Sequence, residues 1–253
     1  MIMNQEKKVT AAIIVIGDEV LSGRTRDANI QFLASALGEM GIQLAEARVI
    51  PDDQERIVEA VNTLRKACDY VFTTGGIGPT HDDITAQSVA QAFGVSIERN
   101  AEAESRLKSH YRPQDLNAAR LSMADIPVGA TLIDNPISKA PGFALENVFV
   151  LAGVPNIAQA MFDGIRPQLT GGARVLSQTL TAEVQEGRMA AGLGGLAQKY
   201  PSVSFGSYPY FRPGQFGVSI VVRSTDADLL RSAAAEVADL MRSLGGDPRV
   251  GSF

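Results

Sequence analysis

The 253-residue chain is 45% hydrophobic and 20% charged, which is typical of a globular protein that buries a sizeable core. Its net charge of −5 argues against nucleic acid or an anionic membrane surface as a partner, and its single cysteine, Cys68, excludes an intrachain disulfide. The apolar runs are long enough for strands but not for a membrane span, and the polar N-terminus does not form a signal peptide, so we expect a cytoplasmic protein.

Predicted strands and helices alternate through residues 1–172. Residues 11–16 are continuously apolar and rich in β-branched side chains, as expected of a strand that is buried on both faces. Further strands are predicted at residues 44–50, 70–74, 130–133 and 148–151. Helices are predicted at residues 28–37, 52–64, 84–93, 101–122 (with a break near Pro113) and 155–169. This alternation predicts an α/β fold with a mostly parallel sheet and helices on both faces.

A change of pattern near residues 170–172 predicts a domain boundary, with a second domain at residues 173–253. Strands are predicted there at residues 175–184, 203–208 and 216–223, and helices at residues 187–200 and 226–244. The order strand–helix–strand–strand–helix indicates a small α+β module.

Three glycines follow the third predicted strand, in a loop that contains Gly75, Gly76, Gly78, Pro79 and Thr80. In open parallel sheets ligands bind at the carboxyl ends of the strands. Glycine lets the backbone approach a ligand closely, and the N–H groups that begin the next helix favour an anion. A tight turn also uses glycine, but this loop has more than a turn requires. We therefore predict that it binds a phosphate-bearing small molecule, either a nucleotide or a pterin.

Several carboxylates accompany this loop. Asp82 and Asp83 would repel a phosphate unless a divalent metal cation offset their charge. We expect one of the two to cap the following helix and the other to face the ligand, and Thr85 in the first turn favours Asp83 for the ligand. Asp18 and Glu19, after the first strand, either complete a metal site, hold a ribose hydroxyl or are merely solvated.

Three more segments are candidate walls of the same pocket. Asp52 follows the second strand and either caps the next helix, which is the interpretation we prefer, or contacts the ligand. In the irregular loop 135–142, Lys139 offers a positive charge and Ser138 a hydroxyl, although a solvent-facing turn has the same composition. Gly153 and Pro155 follow the strand at residues 148–151.

Four motifs together resemble one family. The segments TTGGIGPTHDD, IGDEVLSGRTRDAN, NPISKAPGF and LAGVPNIAQAM are similar to the MoaB/Mog molybdopterin-binding domain, and more closely to its branch in the CinA (competence/damage-inducible protein A) family. The resemblance covers about residues 10–170, and residues 205–209 extend it loosely into the second domain. It implies a three-layer α/β/α domain whose loops hold the ligand.

The resemblance also implies roles for individual residues. The family pattern GGxGPTxDDxT and the acidic residue after the second strand fall on Gly75, Gly76, Gly78, Pro79, Thr80, Asp82, Asp83, Thr85 and Asp52. The second family loop falls on Asn135, Ser138, Lys139, Pro141 and Gly142. Asp82 and Asp83 would be catalytic, and with Asp18 and Glu19 they would bind the metal. Two positions depart from the family, since Ser138 replaces a glycine and Ala152 replaces a proline.

Three functions follow from the resemblance. The first is a metal-dependent pyrophosphatase that acts on ADP-ribose-like nucleotides. The second is a protein that binds or adenylylates molybdopterin, and the third is a nucleotide sensor without chemistry. We expect the family's C-terminal deamidase domain to be absent and the chain to form a homo-oligomer, either a dimer or a trimer. CinA relatives have a KH-like second domain, but the GxxG string at residues 192–195 lacks a basic cluster, so we expect packing or oligomerisation there.

Overall fold

The computed structural model describes residues 8–251 of the chain. These residues form two compact units, the first ending at Gly172 and the second beginning at Ala173. Within the described range, no helix is both long enough and apolar enough to cross a membrane.

The first unit is built on a six-stranded sheet. Its strands are β1 (Val9–Ile16), β2 (Ile42–Ile50), β3 (Tyr70–Thr74), β6 (Thr131–Ile133), β7 (Gly142–Leu145) and β8 (Val148–Leu151), and a separate short ladder contains β4 (Ile97–Arg99) and β5 (Asp125–Pro127). The order in the sheet is β2-β1-β3-β8-β7-β6. Neighbours from β2 to β8 are parallel, whereas β7 runs antiparallel to both β8 and β6.

Helices cover both faces of this sheet. They are α1 (Asp18–Leu21), α2 (Asn29–Glu39), α3 (Gln54–Ala67), α4 (Thr85–Phe93), α5 (Ala101–His110), α6 (Ala118–Leu121) and α7 (Pro155–Ile165). Alternate side chains of β1 point to opposite faces, so that Ile14 packs with the layer of α3 and α4, and Ile13 with the layer of α2 and α7. The α/β fold with a mostly parallel sheet is therefore confirmed, and it has three layers.

The start of α3 differs from the prediction. Asp53, not Asp52, caps this helix, because its side chain accepts a hydrogen bond from the N–H of Arg56 at 2.9 Å. Ile57 and Leu64 lie on the buried stripe of α3, and complete burial of such a side chain contributes about 1.5–3 kcal/mol. Since the cap is already provided by its neighbour, the carboxylate of Asp52 is available for another role.

Short elements account for most other differences. Residues 101–122 are not one helix but α5, a 3-10 turn at Pro113–Asp115 and α6, which agrees with the predicted break. The strands β4, β5 and β7 were not predicted, because three or four residues are too few to show an alternating pattern. The helix α7 ends at Ile165 and the chain continues as a 3-10 turn at Arg166–Gln168, because Pro167 has no N–H for the next α-helical hydrogen bond.

The second unit is a four-stranded antiparallel sheet with two helices. Its elements are β9 (Leu176–Ala182), α8 (Glu186–Lys199), β10 (Ser204–Arg212), β11 (Gln215–Ser224), α9 (Ala227–Ser243) and β12 (Arg249–Val250), in the sheet order β10-β11-β9-β12. The predicted order of elements is confirmed, with β12 added. Gly192 lies inside α8, where a Cβ would meet the methyl groups of Leu240 at 2.5 Å, so this glycine lets α8 and α9 pack closely.

Candidate functional site

Four parallel strands bring their carboxyl ends to one edge of the first unit. Ile16 of β1 pairs with Ile50 of β2, and Thr74 of β3 pairs with Leu151 of β8. Because β1 lies between β2 and β3, and β8 is next to β3, the loops that follow these strands are neighbours. The predicted walls that follow β1, β2, β3 and β8 are thus side by side, where ligands bind in open parallel sheets.

The glycine loop after β3 requires its first two glycines. Gly75 and Gly76 have φ of +104° and +65°, which disfavours residues with a Cβ. A Cβ on Gly75 would meet the carbonyl oxygen of Ile16 at 2.1 Å, and one on Gly76 would meet Oγ1 of Thr85 at 2.2 Å. Thr85 is fully buried, and its hydroxyl donates to the carbonyl oxygen of Gly75 at 3.0 Å. Thr85 is therefore a buried structural residue that holds the backbone of the loop, and its side chain does not face a ligand.

The expectation that one of the two aspartates caps α4 was wrong. Neither caps α4, which begins at Thr85 after Ile84 and has no side-chain cap. Oδ2 of Asp83 accepts hydrogen bonds from the N–H and the hydroxyl of Thr80, at 2.8 and 2.5 Å, and so closes the turn around Pro79. The side chain of Asp82 is 58% exposed. Asp83 thus braces the turn and also lines the cleft between this loop and the loop 135–142, whereas Asp82 is exposed and a hydrogen bond from the Thr80 side chain lowers its pKa.

Asp52 connects three of the strand ends. Its Oδ2 accepts a hydrogen bond from the N–H of Asp18 at 3.0 Å, and its Oδ1 lies 3.6 Å from the position that a Cβ on Gly76 would take. Burial raises the pKa of Asp52 above its usual 3.8, and although the Asp18 N–H opposes this rise, the negative charges of Asp18, Glu19 and Asp82 add to it. Our preference for Asp52 as a helix cap was wrong, and its carboxylate instead faces the glycine loop.

The remaining acids at this edge are exposed. Asp18 and Glu19 begin the short helix α1, and the carboxylate of Glu19 folds back to within 2.5 Å of where a Cβ on Gly17 would lie. Within residues 8–251, no three or more His, Cys, Asp or Glu side chains are placed so that they could hold a metal ion together. Four carboxylates therefore share one edge without converging on one point.

The loop 135–142 is organised by its first residue. Asn135 is buried, and its amide donates to Oγ of Ser138 and the carbonyl oxygen of Ala140 while its Oδ1 accepts from two backbone N–H groups of the loop. Lys139 is held in the left-handed region, with φ of +60°. Gly142 begins β7, where a Cβ would meet the carbonyl oxygen of Val150 at 2.1 Å. Asn135 and Gly142 thus shape the loop that carries Ser138 and Lys139.

A cleft separates the glycine loop from this second loop. Its walls include Gly76, Gly78, Asp83 and Pro141, which the sequence indicated. They also include Gln87, Met123, Asp125, Ile126 and Phe143, which the sequence analysis did not single out. These residues come from α4, a 3-10 turn, β5 and β7, and only the folded sheet brings those elements together.

The turn after β8 contacts both the glycine loop and α2. A Cβ on Gly153 would lie 3.1 Å from Cα of Gly75, so the two backbones need glycine in order to approach so closely. The carbonyl oxygen of Gly153 accepts a hydrogen bond from Nδ2 of Asn29 at 2.8 Å, and Pro155 starts α7. The sequence analysis missed Asn29 as a site residue, although it belongs to the motif that begins at Ile16.

Protein-family comparisons assign both parts of the chain. A family model for a probable molybdopterin binding domain matches residues 12–171, and a model for the middle domain of FAD synthase matches residues 174–245. A crystal structure of the protein CinA with unknown function, from Thermoplasma acidophilum, has 32% sequence identity and a TM-score of 0.61. That similarity covers 64% of this chain and 99% of the other.

Two relatives are similar over almost all of the chain. A probable FAD synthase of Caenorhabditis elegans is 30% identical over 93% of this chain and 50% of its own length. A CinA-like protein of Desulfovibrio desulfuricans is 30% identical over 94% of this chain and 57% of its own length. The chain therefore spans about half of the length of these two proteins.

Proposed function

The chain belongs to the molybdopterin-binding domain family, in its CinA-like branch, and on this premise we propose that it is a metal-dependent nucleotide pyrophosphatase that acts on ADP-ribose-like substrates. The observation that carries the proposal is the position of Asp52. Its Oδ1 faces the glycine loop, while its Oδ2 is held by the N–H of Asp18. A phosphate-binding loop and a positioned carboxylate thus meet at one edge of the sheet.

The glycine loop is suited to a pyrophosphate. The N–H of Gly75 already donates to the carbonyl oxygen of Leu151, so in this proposal the N–H groups of Gly76 and Gly78 approach the phosphate oxygens. The positive end of the α4 dipole begins just after the loop. Lys139 on the opposite loop adds a cation, and it takes part in none of the ion pairs found among residues 8–251. In this proposal these groups hold the pyrophosphate next to Asp52.

The carboxylates fit a divalent metal cation by their chemistry. Asp18, Glu19 and Asp82 offer the hard oxygen ligands that Mg²⁺ or Mn²⁺ prefers, and their negative charges contribute to the raised pKa of Asp52. All three side chains are exposed and have rotamer freedom with which to adjust to an ion. When bound, such a cation would neutralise phosphate charge.

Asp52 would act as the base. Its Oδ1 would take the proton of an attacking water, whose oxygen forms a bond to phosphorus as the P–O–P bridge breaks. The leaving phosphate carries away the bridging oxygen and the electron pair of the broken bond. ADP-ribose would thus yield AMP and ribose 5-phosphate. A carboxyl whose pKa is raised toward neutral pH is a better base than an ordinary aspartate, since the driving force for proton transfer is greater.

The test is hydrolysis by the purified chain. ADP-ribose, FAD and NAD would be incubated with the protein and a panel of divalent metals, and AMP release would be followed by chromatography. We expect metal-dependent release of AMP from at least one substrate. The Asp82→Asn variant should lose at least about tenfold in turnover with little change in thermal stability, because its side chain is exposed, whereas Asp83→Asn should also destabilise the chain, because it weakens two hydrogen bonds with Thr80.

Asp163→Asn, an exposed carboxylate on α7, is the matched control and should keep wild-type turnover. No AMP release with any metal would contradict the pyrophosphatase proposal. Saturable nucleotide binding without turnover would instead indicate a nucleotide sensor.

Molybdopterin binding is the second candidate function, and the cleft favours it. Met123, Ile126 and Phe143 give the cleft an apolar wall next to the glycine loop, and such a wall suits a flat pterin ring whose phosphate lies on the glycines. The matching family model points to the same ligand. Co-purification of a fluorescent pterin after oxidation would support this alternative, and its absence from protein made in cells that produce molybdopterin would weigh against it.

A further inference from the structure

Two buried polar atoms at the carboxyl edge lack hydrogen-bond partners. Asn29 is 3% exposed and Thr74 is 1% exposed, yet Oδ1 of Asn29 and Oγ1 of Thr74 make no hydrogen bond within residues 8–251. Most buried polar side-chain atoms in folded proteins are paired, because an unpaired one loses its hydrogen bonds to water without replacing them. Their presence at a strand end suggests that a partner from outside the chain completes them.

The two side chains belong to the same layer of the first unit. Thr74 pairs in register with Leu151, and partners in a parallel ladder point to the same face. Leu151 packs in the core with Leu33 of α2, so Thr74 faces the layer that contains α2. The neighbouring Thr73 faces the opposite layer, and its unpaired hydroxyl is not part of this site.

Asn29 lies immediately beside the glycines of the candidate site. It begins α2, and its Nδ2 donates to the carbonyl oxygen of Gly153, which is in close contact with Gly75, the residue after Thr74. Ala28, which precedes Asn29, and Gly153, which accepts its hydrogen bond, are both exposed. The Asn29 amide therefore lies just beneath the protein surface.

The chemistry of the two atoms selects the partner. The hydrogen bond to Gly153 fixes the orientation of the Asn29 amide, so its Oδ1 can only accept. A phosphate or carboxylate oxygen has no proton to give and would be repelled. A neutral hydroxyl satisfies both atoms, since it donates to Asn29 and accepts from the hydroxyl of Thr74.

We propose that Asn29 and Thr74 form a recognition site for a ribose hydroxyl of the nucleotide whose phosphates lie on the glycine loop. This inference rests on the proposed nucleotide function and names the part of the substrate that gives specificity. A site built to bond a hydroxyl rejects an analogue without it, because the protein groups are then left unpaired.

Binding of ADP and its 2′-deoxy and 3′-deoxy forms tests the proposal. Affinities would be measured by calorimetry without metal, so that no turnover occurs. We expect one deoxy form to bind the wild-type chain at least about tenfold more weakly than ADP, the effect of one unpaired group. Asn29→Ala should bind ADP with a similar loss of affinity and should no longer distinguish ADP from that deoxy form. Thr74→Val, which is nearly isosteric, should reduce the discrimination in the same way if Asn29→Ala does not fold.

Equal affinity of the wild-type chain for ADP and both deoxy forms would overturn the hydroxyl site, because an ordered water would then suffice to pair the two atoms. Full discrimination by both folded variants would overturn it as well. Discrimination by the wild-type chain without any AMP release would support the hydroxyl site while contradicting the pyrophosphatase. Absence of any ADP binding would contradict both proposals.

Discussion

Asp52 in the first unit and Glu236 in the second are carboxylates that their surroundings affect in opposite ways. Burial and the charges of other acids raise the pKa of Asp52, against the smaller effect of one N–H group. Glu236 accepts hydrogen bonds from Lys199 at 2.7 Å and from the hydroxyl of Tyr200 at 2.6 Å, and these bonds lower its pKa. The surroundings of Glu236 in the second unit stabilise its negative charge, whereas those of Asp52 in the first unit destabilise its negative charge.

Glycines show the same contrast between the two units. Gly75 has positive φ, and a Cβ there would collide with a backbone carbonyl oxygen, whereas Gly195 lies in α8 with nothing within 4 Å of the position of a Cβ. Gly75 is required because the backbone packs closely at the carboxyl ends of the strands. Gly195 weakens α8, because alanine has a higher helix propensity than glycine. Destabilising features that the surrounding structure enforces are typical of functional sites.

Replacement of these glycines should give the largest difference. We expect Gly75→Ala to lower the free energy of unfolding by at least about 2 kcal/mol, because the Cβ would lie 2.1 Å from the carbonyl oxygen of Ile16. Gly195→Ala should instead raise it by about 0.5–1 kcal/mol, the difference in helix propensity. Denaturant unfolding of both variants measures the two effects. A Gly75→Ala variant as stable as the wild type would show that the loop is not constrained.

Asp52→Asn separates stability from activity. The amide keeps an acceptor for the N–H of Asp18 and removes the opposed charge. We expect turnover to fall by about 100-fold or more, as for loss of a general base. At pH 7 the midpoint of thermal unfolding should rise by about 1–2 °C.

The gain in stability should depend on pH. Because the folded pKa of Asp52 lies above 3.8, the folded chain binds more protons than the unfolded chain between these two values, and wild-type stability falls as the pH rises through that window. The advantage of Asp52→Asn should therefore be complete above the folded pKa and absent below about pH 3.8. A variant less stable than the wild type at pH 7 would contradict this account of Asp52.

Glu236→Gln should have the smallest effect on thermal stability, and it should lower the unfolding midpoint that Asp52→Asn raises. Its lowered pKa means that the charged form stabilises the fold above the unfolded value of 4.5, and that this contribution is lost as the pH falls through the folded value. We expect the unfolding midpoint to drop by no more than about 1 °C at pH 7, since the side chain is at the surface. The difference should vanish in acid. Asp239→Asn, on the same helix, is the control, and an equal drop there would remove any special role for Glu236.

Much of the fold followed from local patterns. Apolar runs with β-branched residues located β1, β3 and β8, and residues repeated at helical spacing located α3, α4 and α9. The glycine loop was located because it follows directly after a strand. These features depend on neighbours within a few residues, so the sequence carries them in a short window.

The roles of adjacent residues did not follow in this way. Each pair, Asp52 with Asp53 and Asp82 with Asp83, consists of two residues of the same type. Only the direction that the folded backbone gives to each side chain decides which hydrogen bonds it makes. The caps we preferred were wrong in both pairs, since Asp53 rather than Asp52 caps α3 and neither Asp82 nor Asp83 caps α4, because a cap depends on a hydrogen bond within about 3 Å.

The sequence by itself determined the alternation of elements, the bare backbone of the glycine loop and the presence of acids after successive strands, because each depends on residue type and local spacing. Only the tertiary structure decided which acids meet and which polar atoms lack a partner. The contact between Asn29 and Gly153 joins residues 124 positions apart. Sheet order makes them neighbours, and sheet order is set by burial of both faces of the sheet rather than by any motif.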